Sequence, residues 1–476
     1  MIDLKKLSEL YNCEFNDVIT GISINSKQIK KGDLFVCIKG IAADRHDYID
    51  EAIQNGASAL IVSKEGNYKV PHILVEDTNK ELGNVSKRFY DNPLEKVKLI
   101  GVTGTDGKTT TASILRNMIG NNNCGYIGSI GVYCKDEKLN EVNTTPEIHK
   151  VYEYLDKFSK NDLSFATMEI SSESLLHNRT NTLELDVAIL TNITEDHLNV
   201  HKTMDNYIES KEKIFSLLKS DGTAILNIDD KYFDRIRKNI KNKVLTYGKS
   251  INADLVIIEI KEFETGTIFT FSYEENLYKV ISPLLGEFNV YNLCASILSL
   301  VSLGNSVSSA IEKVMNLEPV SGRCEYLNFG QNYKIVLDYA HTPNGLKSIL
   351  NFLNKIKTKR IITVTGSAGG REKEKRREMG KNVLELSDLV IFTMDDPRNE
   401  SVDDIIDDMI GDSKNTNYIR IIDRKSAIQK ALEMAEKDDI VLVVGKGRDG
   451  YMAINNEYEK YCDYDTIEEI MKANFI

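Results

Sequence analysis

No apolar stretch of this chain approaches the about 18 consecutive residues that a membrane-spanning helix needs. The start of the chain, Met1 to Leu10, shows helical periodicity with acidic side chains and lacks the continuous apolar core of a signal peptide. These two absences predict a cytoplasmic protein with no membrane segment.

Cysteine is sparse and follows no pattern. The seven cysteines lie at positions 13, 37, 124, 134, 294, 324 and 462, and none forms a Cys-x-x-Cys motif with another. An odd number of scattered thiols in a long chain predicts reduced, buried cysteines, and argues against both a disulfide framework and a cysteine metal site.

A basic surface is also missing. The chain has 60 lysines and arginines against 72 aspartates and glutamates, which gives a formal net charge of -12. Because acids are interspersed among the basic residues, we expect no nucleic-acid partner. The one dense basic run, Arg371-Glu-Lys-Glu-Lys-Arg-Arg-Glu378, is most simply interpreted as a solvated helix face.

The length of 476 residues exceeds the roughly 250 to 300 residues at which a single core stops growing. Helix and strand signals alternate in 1–93 and again in 318–476, and in 94–317 several strands end in polar residues. Residues 252–281 are the exception, because they have the pattern of antiparallel strands. The sequence therefore predicts an α/β protein with parallel sheets and three domains, 1–93, 94–317 and 318–476.

A phosphate-binding loop is the most specific motif. An apolar strand is followed by Gly104-Thr-Asp-Gly-Lys-Thr-Thr110, which then enters a helix. Glycines let backbone N–H groups approach an oxyanion, Lys108 supplies a cation, and Thr109 offers a hydroxyl to Mg²⁺. The usual pattern has a glycine five residues before Gly107, where this chain has Val102, so the loop is a shorter variant that still predicts nucleotide binding.

Polar clusters follow other predicted strands, at Asn143–Pro146, Glu169–Ser172 and Thr191–His197. Taken singly, each cluster is more often a turn or a helix cap than a ligand site. In an open parallel sheet, however, ligands bind at the carboxyl ends of the strands, where these clusters are expected to lie.

In this order the motifs resemble the Mur ligases of cell-wall synthesis, in particular the branch that adds the third residue of the stem peptide. Matching motifs run from Asn25-Ser-Lys to Asp395-Asp-Pro-Arg398, including Ser321-Gly-Arg-Cys-Glu and Asp338-Tyr-Ala-His-Thr-Pro. The resemblance implies a uridine-binding N-terminal domain, a central ATPase domain, and a Rossmann-like C-terminal domain that carries the incoming amino acid. It implies a monomeric enzyme.

The implied reaction makes an amide bond. ATP phosphorylates a carboxylate of a UDP-N-acetylmuramoyl-dipeptide, and an amine of the incoming amino acid attacks the acyl phosphate. Such phosphoryl transfer between anions mainly needs charge neutralisation. By resemblance, Lys108 neutralises the β- and γ-phosphates, Thr109 and Glu169 hold one Mg²⁺, and His197 joins a second.

Lys211 matches the lysine that this family carries as an N-carbamate. An unmodified lysine at this helical position would ordinarily be a solvated surface charge. Reaction with CO₂ converts the cation into an anion that is compatible with a nearby Mg²⁺, so the resemblance implies that Lys211 belongs to the metal site.

Further positions match family binding residues one by one. Those of the ATP pocket, besides the loop residues Gly104, Thr105, Asp106, Gly107, Lys108, Thr109 and Thr110, are Asn292, Arg323 and Asp338. Asp338 is alternatively a cap of the next helix. Those of the UDP-sugar-dipeptide site are Ile24, Ser26, Ile41, Ala42, Ala43, Asn143, Thr144, Thr145, Ser171, His177 and Arg179. Those of the amino-acid site are Arg371, Asp395, Asp396, Pro397, Arg398, Gly445 and Asp449.

The motifs agree with two kinds of incoming amino acid, one with a second carboxylate and one without. Members that add meso-diaminopimelate carry Asp-Asn-Pro-Arg, and this chain keeps the arginine as Arg398, a residue suited to a second carboxylate. Asp396 in place of asparagine adds a negative charge, and Asp449 in place of glutamate shortens the acid that, by resemblance, binds the distal ammonium. Two acids near one arginine are compatible with a diamine that lacks the second carboxylate. Diaminopimelate is therefore favoured, with lysine or another diamino acid as the alternative.

Other departures from the family pattern, such as Asp106 for asparagine and Glu173 for histidine, indicate a divergent member, with a paralogue acting on a modified acceptor as one alternative. Two further alternatives are a ligase similar to folylpolyglutamate synthetase and a non-catalytic nucleotide-binding relative. The chain has no Asn-Lys-x-Asp signature of guanine binding, which argues against a GTPase.

Overall fold

The computed structural model describes residues 5–40, 43–139, 141, 143–455 and 457–474. Ile41 and Ala42, two of the predicted uridine contacts, lie outside these residues. The chain divides into two compact units, one of residues 1–102, 119–188 and 210–222, the other of 103–118, 189–209 and 223–476. In the described part of the chain no helix is long and apolar enough to cross a membrane.

The elements before the phosphate loop are short. They are β1 (Lys5–Lys6), α1 (Leu7–Tyr11), β2 (Val18–Ile19), β3 (Gly21–Ser23), β4 (Asp33–Val36), α2 (Ile49–Gln54), β5 (Ala59–Val62), β6 (His72–Leu74) and α3 (Thr78–Phe89). Strands β3, β4, β5 and β6 form a parallel sheet in chain order. Its central strands β4 and β5 are buried at every position, as expected of parallel strands covered on both faces.

The middle of the chain contains the loop strand and the antiparallel strands predicted for 252–281. Its elements are β7 (Lys98–Thr103), α4 (Lys108–Ile119), β8 (Cys124–Gly128), β9 (Gly131–Cys134), β10 (Glu137–Leu139), α5 (Ile148–Lys160), β11 (Phe165–Glu169), α6 (Ser172–Leu176), β12 (Leu185–Leu190), α7 (Leu198–His201), α8 (Met204–Glu212), β13 (Leu218–Asn227), α9 (Phe233–Lys238), β14 (Lys243–Gly248), β15 (Leu255–Phe263), β16 (Gly266–Tyr273), β17 (Asn276–Ser282), α10 (Glu287–Ser302) and α11 (Val307–Met315).

Two arrangements of these strands matter for the site. In the first unit the strand order is β10, β9, β8, β11 and β7, and β11 is parallel to both of its neighbours. In the second unit β15, β16 and β17 form an antiparallel meander, which confirms the prediction for this stretch.

The last part of the chain confirms the predicted alternation of strands and helices. Its elements are β18 (Glu325–Leu327), β19 (Lys334–Asp338), α12 (Pro343–Ile356), β20 (Ile361–Thr365), α13 (Lys373–Leu386), β21 (Leu389–Phe392), α14 (Val402–Ile410), β22 (Tyr418–Arg420), α15 (Arg424–Met434), β23 (Ile440–Val444), β24 (Tyr451–Ile454), β25 (Glu457–Lys460) and α16 (Asp463–Asn474).

Six of these strands form a sheet in the order β18, β19, β23, β20, β21, β22, in which only β18 is antiparallel. One apolar core includes buried residues of α12, α13 and α14, and a second includes residues of α15 and α16. Helices on both faces of a parallel sheet make this a doubly wound α/β fold, and the carboxyl ends of its strands are the expected ligand side.

Candidate active site

The phosphate loop has a conformation that only glycine accommodates at two positions. Gly104 has φ +150°, and a Cβ there would lie 1.9 Å from Thr191 Oγ1. Gly107 has φ +84°, and a Cβ there would lie 2.6 Å from Asn292 Oδ1. A side chain at either position would collide with Thr191 or Asn292 and displace the loop. The two glycines therefore keep the backbone N–H groups of the loop accessible to an anion.

Cations converge on this loop from two parts of the second unit. Lys108, the first residue of α4, donates from Nζ to Gly104 O and Thr105 O, each at 2.9 Å. Arg323 Nη2 donates to Thr109 Oγ1 at 3.0 Å, and the Arg323 guanidinium lies 4.5 Å from the centre of the Tyr339 ring. The structure thus brings the predicted Arg323 to the loop, where its charge complements a polyphosphate.

Asp106, the loop residue that replaces the family's asparagine, binds the start of α12. Its Oδ1 accepts from Thr342 Oγ1 at 2.9 Å, and its Oδ2 accepts from Asn344 Nδ2 at 3.1 Å. Thr342 also caps α12 by accepting from Gly345 N. The carboxylate therefore lies at a helix N-terminus, where the helix dipole favours a negative charge.

The other two predicted ATP-pocket residues are held by protein contacts. Both Asp338 oxygens accept backbone N–H groups, from Cys324 and Ala340 at 2.6 Å, and burial raises the pKa of this carboxyl despite the opposing effect of Arg323. Asp338 does not cap α12, a role that Thr342 takes. Asn292 Oδ1 accepts from Thr111 Oγ1 at 3.2 Å.

In the first unit, Glu169 ends the buried strand β11 and is itself fully buried. Its Oε1 accepts from Ser129 N at 2.9 Å and from the Tyr126 hydroxyl, and its Oε2 accepts from Ser129 Oγ at 3.3 Å. Side-chain and backbone donors therefore hold this carboxylate in place. A Cβ at Gly128 would lie 2.3 Å from Glu169 Oε1, so the neighbouring strand must carry glycine there.

The structure brings several predicted dipeptide contacts together around Glu169. Thr145 Oγ1 donates to Glu169 O and accepts from Ser171 N, both at 2.9 Å. Thr144 Oγ1 and Ser129 Oγ are 2.9 Å apart. Hydroxyl groups from two separate loops and the backbone N–H of Ser171 are thus collected at the end of β11.

The remaining contacts predicted for the UDP-sugar-dipeptide are more dispersed. Ser26 is buried and donates to Glu51 Oε2 at 2.6 Å, and Ile24 precedes it. Arg179 pairs with Glu147 at 3.2 Å. Ala43 precedes a 3₁₀ turn, Asn143 N donates to Glu141 Oε1 at 3.1 Å, and His177 directly follows α6.

Lys211 lies near the end of α8 and is 1% exposed, so it is not the solvated surface lysine expected of an ordinary helix. Its neighbour Ser210 donates to Ser172 O at 2.6 Å. In the second unit, His197 precedes α7 with φ +55°, and its Nε2 lies 3.4 Å from Asp196 Oδ2. Among the described residues no group of three or more His, Cys, Asp and Glu side chains is arranged to hold a metal.

A pocket lies where β19, β20, β21 and β23 end. It is lined by Asp196, His197, Tyr339, His341, Ser367, Ala368, Arg371, Lys375, Met379, Asp395, Asp396, Arg398, Gly445 and Lys446. The structure therefore brings together most of the predicted amino-acid site, at the edge of the sheet where ligands are expected. Pro397, also predicted there, packs its carbonyl so closely on Gly369 that a Cβ at Gly369 would lie 2.0 Å from it.

The charges of this pocket are partly compensated within the chain. Lys375 Nζ lies 2.6 Å from Asp196 Oδ1, and Lys446 Nζ lies 2.9 Å from Asp396 Oδ1. Arg371 and Arg398 also line the pocket, and neither forms an ion pair with a carboxylate anywhere in the described ranges. Two guanidinium groups are thus available to anionic groups of a ligand.

Arg398 is fixed mainly through its backbone. Its φ is +54°, its N–H donates to Ala453 O at 2.9 Å, and its carbonyl accepts from Asn455 N at 2.8 Å. The side chain donates from Nη1 to Gly369 O at 3.0 Å. These contacts hold the arginine at the pocket and leave most of its N–H donors for other acceptors.

Asp395 is the acid of the pocket that makes no side-chain hydrogen bond within the part of the chain that the structure describes. Burial raises its pKa to about 6, against the influence of Arg424 and Lys446. Its Oδ2 would lie 2.2 Å from a Cβ at Gly445, so the predicted Gly445 is required by the close approach of this carboxylate.

The pocket residues that were not predicted from the sequence include two buried lysines, Lys375 and Lys446. The run from Arg371 is not uniformly solvated, because Lys375 is buried against Asp196 and Arg376 is buried against Glu400 and Asp408. Lys446 is also buried. Its signal in the sequence is a lysine between two glycines directly after a buried strand.

Three family models of known proteins match successive stretches of the chain, in the same order as its motifs. Sequence profiles match at residues 18–94 (Mur ligase family, catalytic domain), 102–300 (Mur ligase middle domain) and 322–447 (Mur ligase, glutamate ligase domain). These profiles together span most of the chain.

Several relatives that match over nearly their whole length carry the name UDP-N-acetylmuramoyl-L-alanyl-D-glutamate--2,6-diaminopimelate ligase. The chain is 35% identical to the enzyme numbered 1 from Clostridium acetobutylicum, covering 98% of each chain, and 38% identical to that from Fusobacterium nucleatum, covering 96% of this chain and 95% of the relative. A solved structure of the same name is 27% identical with a TM-score of 0.68, covering 99% of this chain and 100% of that one. The chain therefore belongs to the Mur ligase family.

Proposed function

We propose that this ATP-dependent ligase joins meso-diaminopimelate to the free carboxylate of UDP-N-acetylmuramoyl-L-alanyl-D-glutamate. The names of its full-length relatives support both substrates. The observation that carries the choice of amino acid is a set of three charged side chains of the pocket that form no ion pair among the described residues, namely Arg371, Arg398 and Asp395.

Diaminopimelate complements this set group by group. When one of its amines is neutral for attack, the molecule retains two carboxylates and one ammonium. Two arginines match the carboxylates, and one aspartate matches the ammonium. By the resemblance above, Arg371 takes the carboxylate beside the attacking amine and Arg398 takes the far one.

Lysine complements the set less well. It has one carboxylate, so either Arg371 or Arg398 would remain in the pocket without an anion. Arg371 and Arg398 are only partly buried in the structure, but a bound amino acid would cover them. Because a covered charge without a partner is costly, the pocket favours the dicarboxylic substrate. The extra acid Asp396 does not reverse this preference, since Lys446 already neutralises it.

The residues around the phosphate loop fit ATP with Mg²⁺. The two glycines leave the loop backbone open to an anion, and Lys108 and Arg323 add positive charge. Mg²⁺ in nucleotide sites often has only one or two protein ligands besides phosphate oxygens and water. By the resemblance above, Thr109 and Glu169 are the oxygen ligands implied for one ion, and His197 is a ligand implied for a second ion. Bound Mg²⁺ would neutralise charge on the phosphates.

The chain's own residues then have distinct roles in our proposal. Lys108 and Arg323 stabilise negative charge as the γ-phosphoryl group moves to the acceptor carboxylate. Thr144, Thr145 and Ser171 orient the dipeptide, while Ile24, Ser26 and Ala43 bind the uridine end. The domain division 1–93, 94–317 and 318–476 remains our proposal for how these tasks are distributed.

We also propose that Lys211 carries an N-carbamate. Its 1% exposure distinguishes it from a solvated surface lysine, and a carbamate at this position can act as a Mg²⁺ ligand. Protein exchanged into ¹³C-bicarbonate should give a carbamate carbon resonance that is absent from Lys211→Ala.

Activity gives a second readout of the carbamate. Lys211→Ala should be inactive, and a short carboxylic acid such as acetate or formate should partly restore its turnover by replacing the missing anion. An unmodified amine in fully active wild-type protein would contradict the assignment.

The pH dependence should report on Asp395. Its raised pKa means that the carboxylate becomes neutral as the pH falls through about 6 and then no longer attracts an ammonium. We expect kcat/KM for diaminopimelate to fall between about pH 7 and pH 5 in the wild type. The fall should be much shallower in Asp395→Asn, which has a lower kcat/KM throughout, and an equal fall in both proteins would exclude Asp395 as the ammonium site.

The experiment that tests the proposed function is phosphate release from ATP. It is measured with UDP-N-acetylmuramoyl-L-alanyl-D-glutamate and, singly, with diaminopimelate, lysine, ornithine or no amino acid. We expect release that needs both the dipeptide substrate and diaminopimelate. Release without the dipeptide substrate, or highest with lysine or ornithine, would refute the proposal.

A further inference from the structure

Asp396 and Asp449 form an acidic corner of the pocket, and the ammonium group of Lys446 already occupies it. Lys446 follows β23 and its side chain is 1% exposed. Its Nζ lies 2.9 and 3.0 Å from the two carboxylate oxygens of Asp396 and 3.1 Å from Asp449 Oδ2. An ammonium has three N–H donors. These three contacts use all of them, so Lys446 has no donor left for a ligand.

The acids around Lys446 are held from other directions as well. Asp396 Oδ1 also accepts from Ala453 N at 2.9 Å, and Asp449 Oδ2 accepts from the Tyr339 hydroxyl at 3.3 Å. Lys446 Nζ lies 4.7 Å from the centre of the Tyr451 ring, a cation–π distance. The cluster of Asp396, Lys446 and Asp449 is thus a closed ion-pair network.

The charged state of Lys446 is favoured in this network. Burial alone would lower its pKa, but Asp395, Asp449 and Asp396 together raise it above the usual value. The lysine therefore stays cationic throughout the physiological pH range. It offsets one of the negative charges that Asp396 and Asp449 bring to this end of the pocket.

We propose that Lys446 determines substrate selectivity by position: it occupies the acidic corner, so that Asp396 and Asp449 do not bind the ammonium of a monocarboxylic diamino acid such as lysine. This inference rests on the proposed function, because it concerns the same pocket. The discrimination between diaminopimelate and lysine then depends on Arg398, which requires a second carboxylate on the substrate, and on Asp395.

The proposal predicts a change of selectivity when Lys446 is removed. In Lys446→Met, Asp396 and Asp449 lose their cation and attract an ammonium, while the same negative charge opposes the far carboxylate of diaminopimelate. The ratio of kcat/KM for diaminopimelate to that for lysine should fall about tenfold, the effect of one charged hydrogen-bonded group. The KM for ATP should stay within about twofold of the wild type, because the phosphate loop is unaltered.

Two further variants separate charge from structure. Lys446→Arg keeps the cation and should largely keep the ratio. The double variant D396N/K446M loses one charge of each sign, so its ratio should return most of the way to the wild-type value. Where K446M does not fold, D396N alone supplies the test: Lys446 then faces only Asp449, the net negative charge of this corner is lost, and the ratio should rise.

The outcomes distinguish this inference from the proposed function. If the wild type itself does not prefer diaminopimelate, the proposed function fails, and this inference with it. If the wild type prefers diaminopimelate but K446M loses activity with both amino acids by the same factor, only the role of Lys446 is overturned. A double variant no more selective than K446M, or a D396N variant with a lower ratio, would overturn it equally.

Discussion

Lys108→Ala should reduce kcat about 10³-fold. The side chain lies over the loop and donates to Gly104 O and Thr105 O, so its charge is held where a bound polyphosphate would develop negative charge. Removing it leaves phosphoryl transfer between two anions with less compensation. The loss should be measured as ATP-dependent phosphate release with saturating substrates.

The fold should survive this change. Lys108 is the first residue of α4, and alanine has the highest helix propensity, so we expect no large shift in the thermal unfolding midpoint. Lys96→Ala is the matched control, because Lys96 is exposed and precedes the loop strand. If Lys108→Ala retained most of its turnover, the loop would not be the site of phosphoryl transfer.

Arg398→Ala should raise the KM for diaminopimelate about 10²-fold, the cost of losing a bidentate charged contact. The arginine lines the pocket without an ion pair among the described residues, and its backbone is fixed by Ala453 and Asn455. Removing the guanidinium therefore leaves the second carboxylate of the substrate without a partner. The KM for ATP should be almost unchanged.

Two comparisons make this result specific. Arg371→Ala should raise the KM for diaminopimelate and for lysine alike, whereas Arg398→Ala should raise only the KM for diaminopimelate. Arg377→Ala serves as the control, because Arg377 is exposed on the same helix as the buried Arg376. An unchanged KM for diaminopimelate in Arg398→Ala would remove Arg398 from the site.

The fold was largely predictable because its signals are local. Parallel strands such as β21 and β23 are continuous apolar runs, and the helices between the strands have clear periodicity. The antiparallel meander at β15 to β17 was equally visible from the alternating pattern and the Glu264-Thr-Gly266 turn. The family resemblance then supplied the candidate residues at the strand ends.

The charge pairing within the site was not predictable. Lys375 is followed by two arginines in a run that has the composition of an exposed surface, and only the structure shows Asp196 beside it. Asp396 was interpreted only as an added negative charge that is compatible with a diamine lacking the second carboxylate, because its partner Lys446 is 50 residues away in the chain. Such pairs depend on which strands are neighbours, a long-range property that composition and spacing do not contain.

The most direct test of the account is a competition. The enzyme is given ATP, UDP-N-acetylmuramoyl-L-alanyl-D-glutamate and equal concentrations of diaminopimelate and lysine, and the products are identified by mass. The pairing of Arg371, Arg398 and Asp395 with two carboxylates and an ammonium predicts that the diaminopimelate-containing tripeptide predominates. A product containing mainly lysine, or no new amide at all, would contradict it.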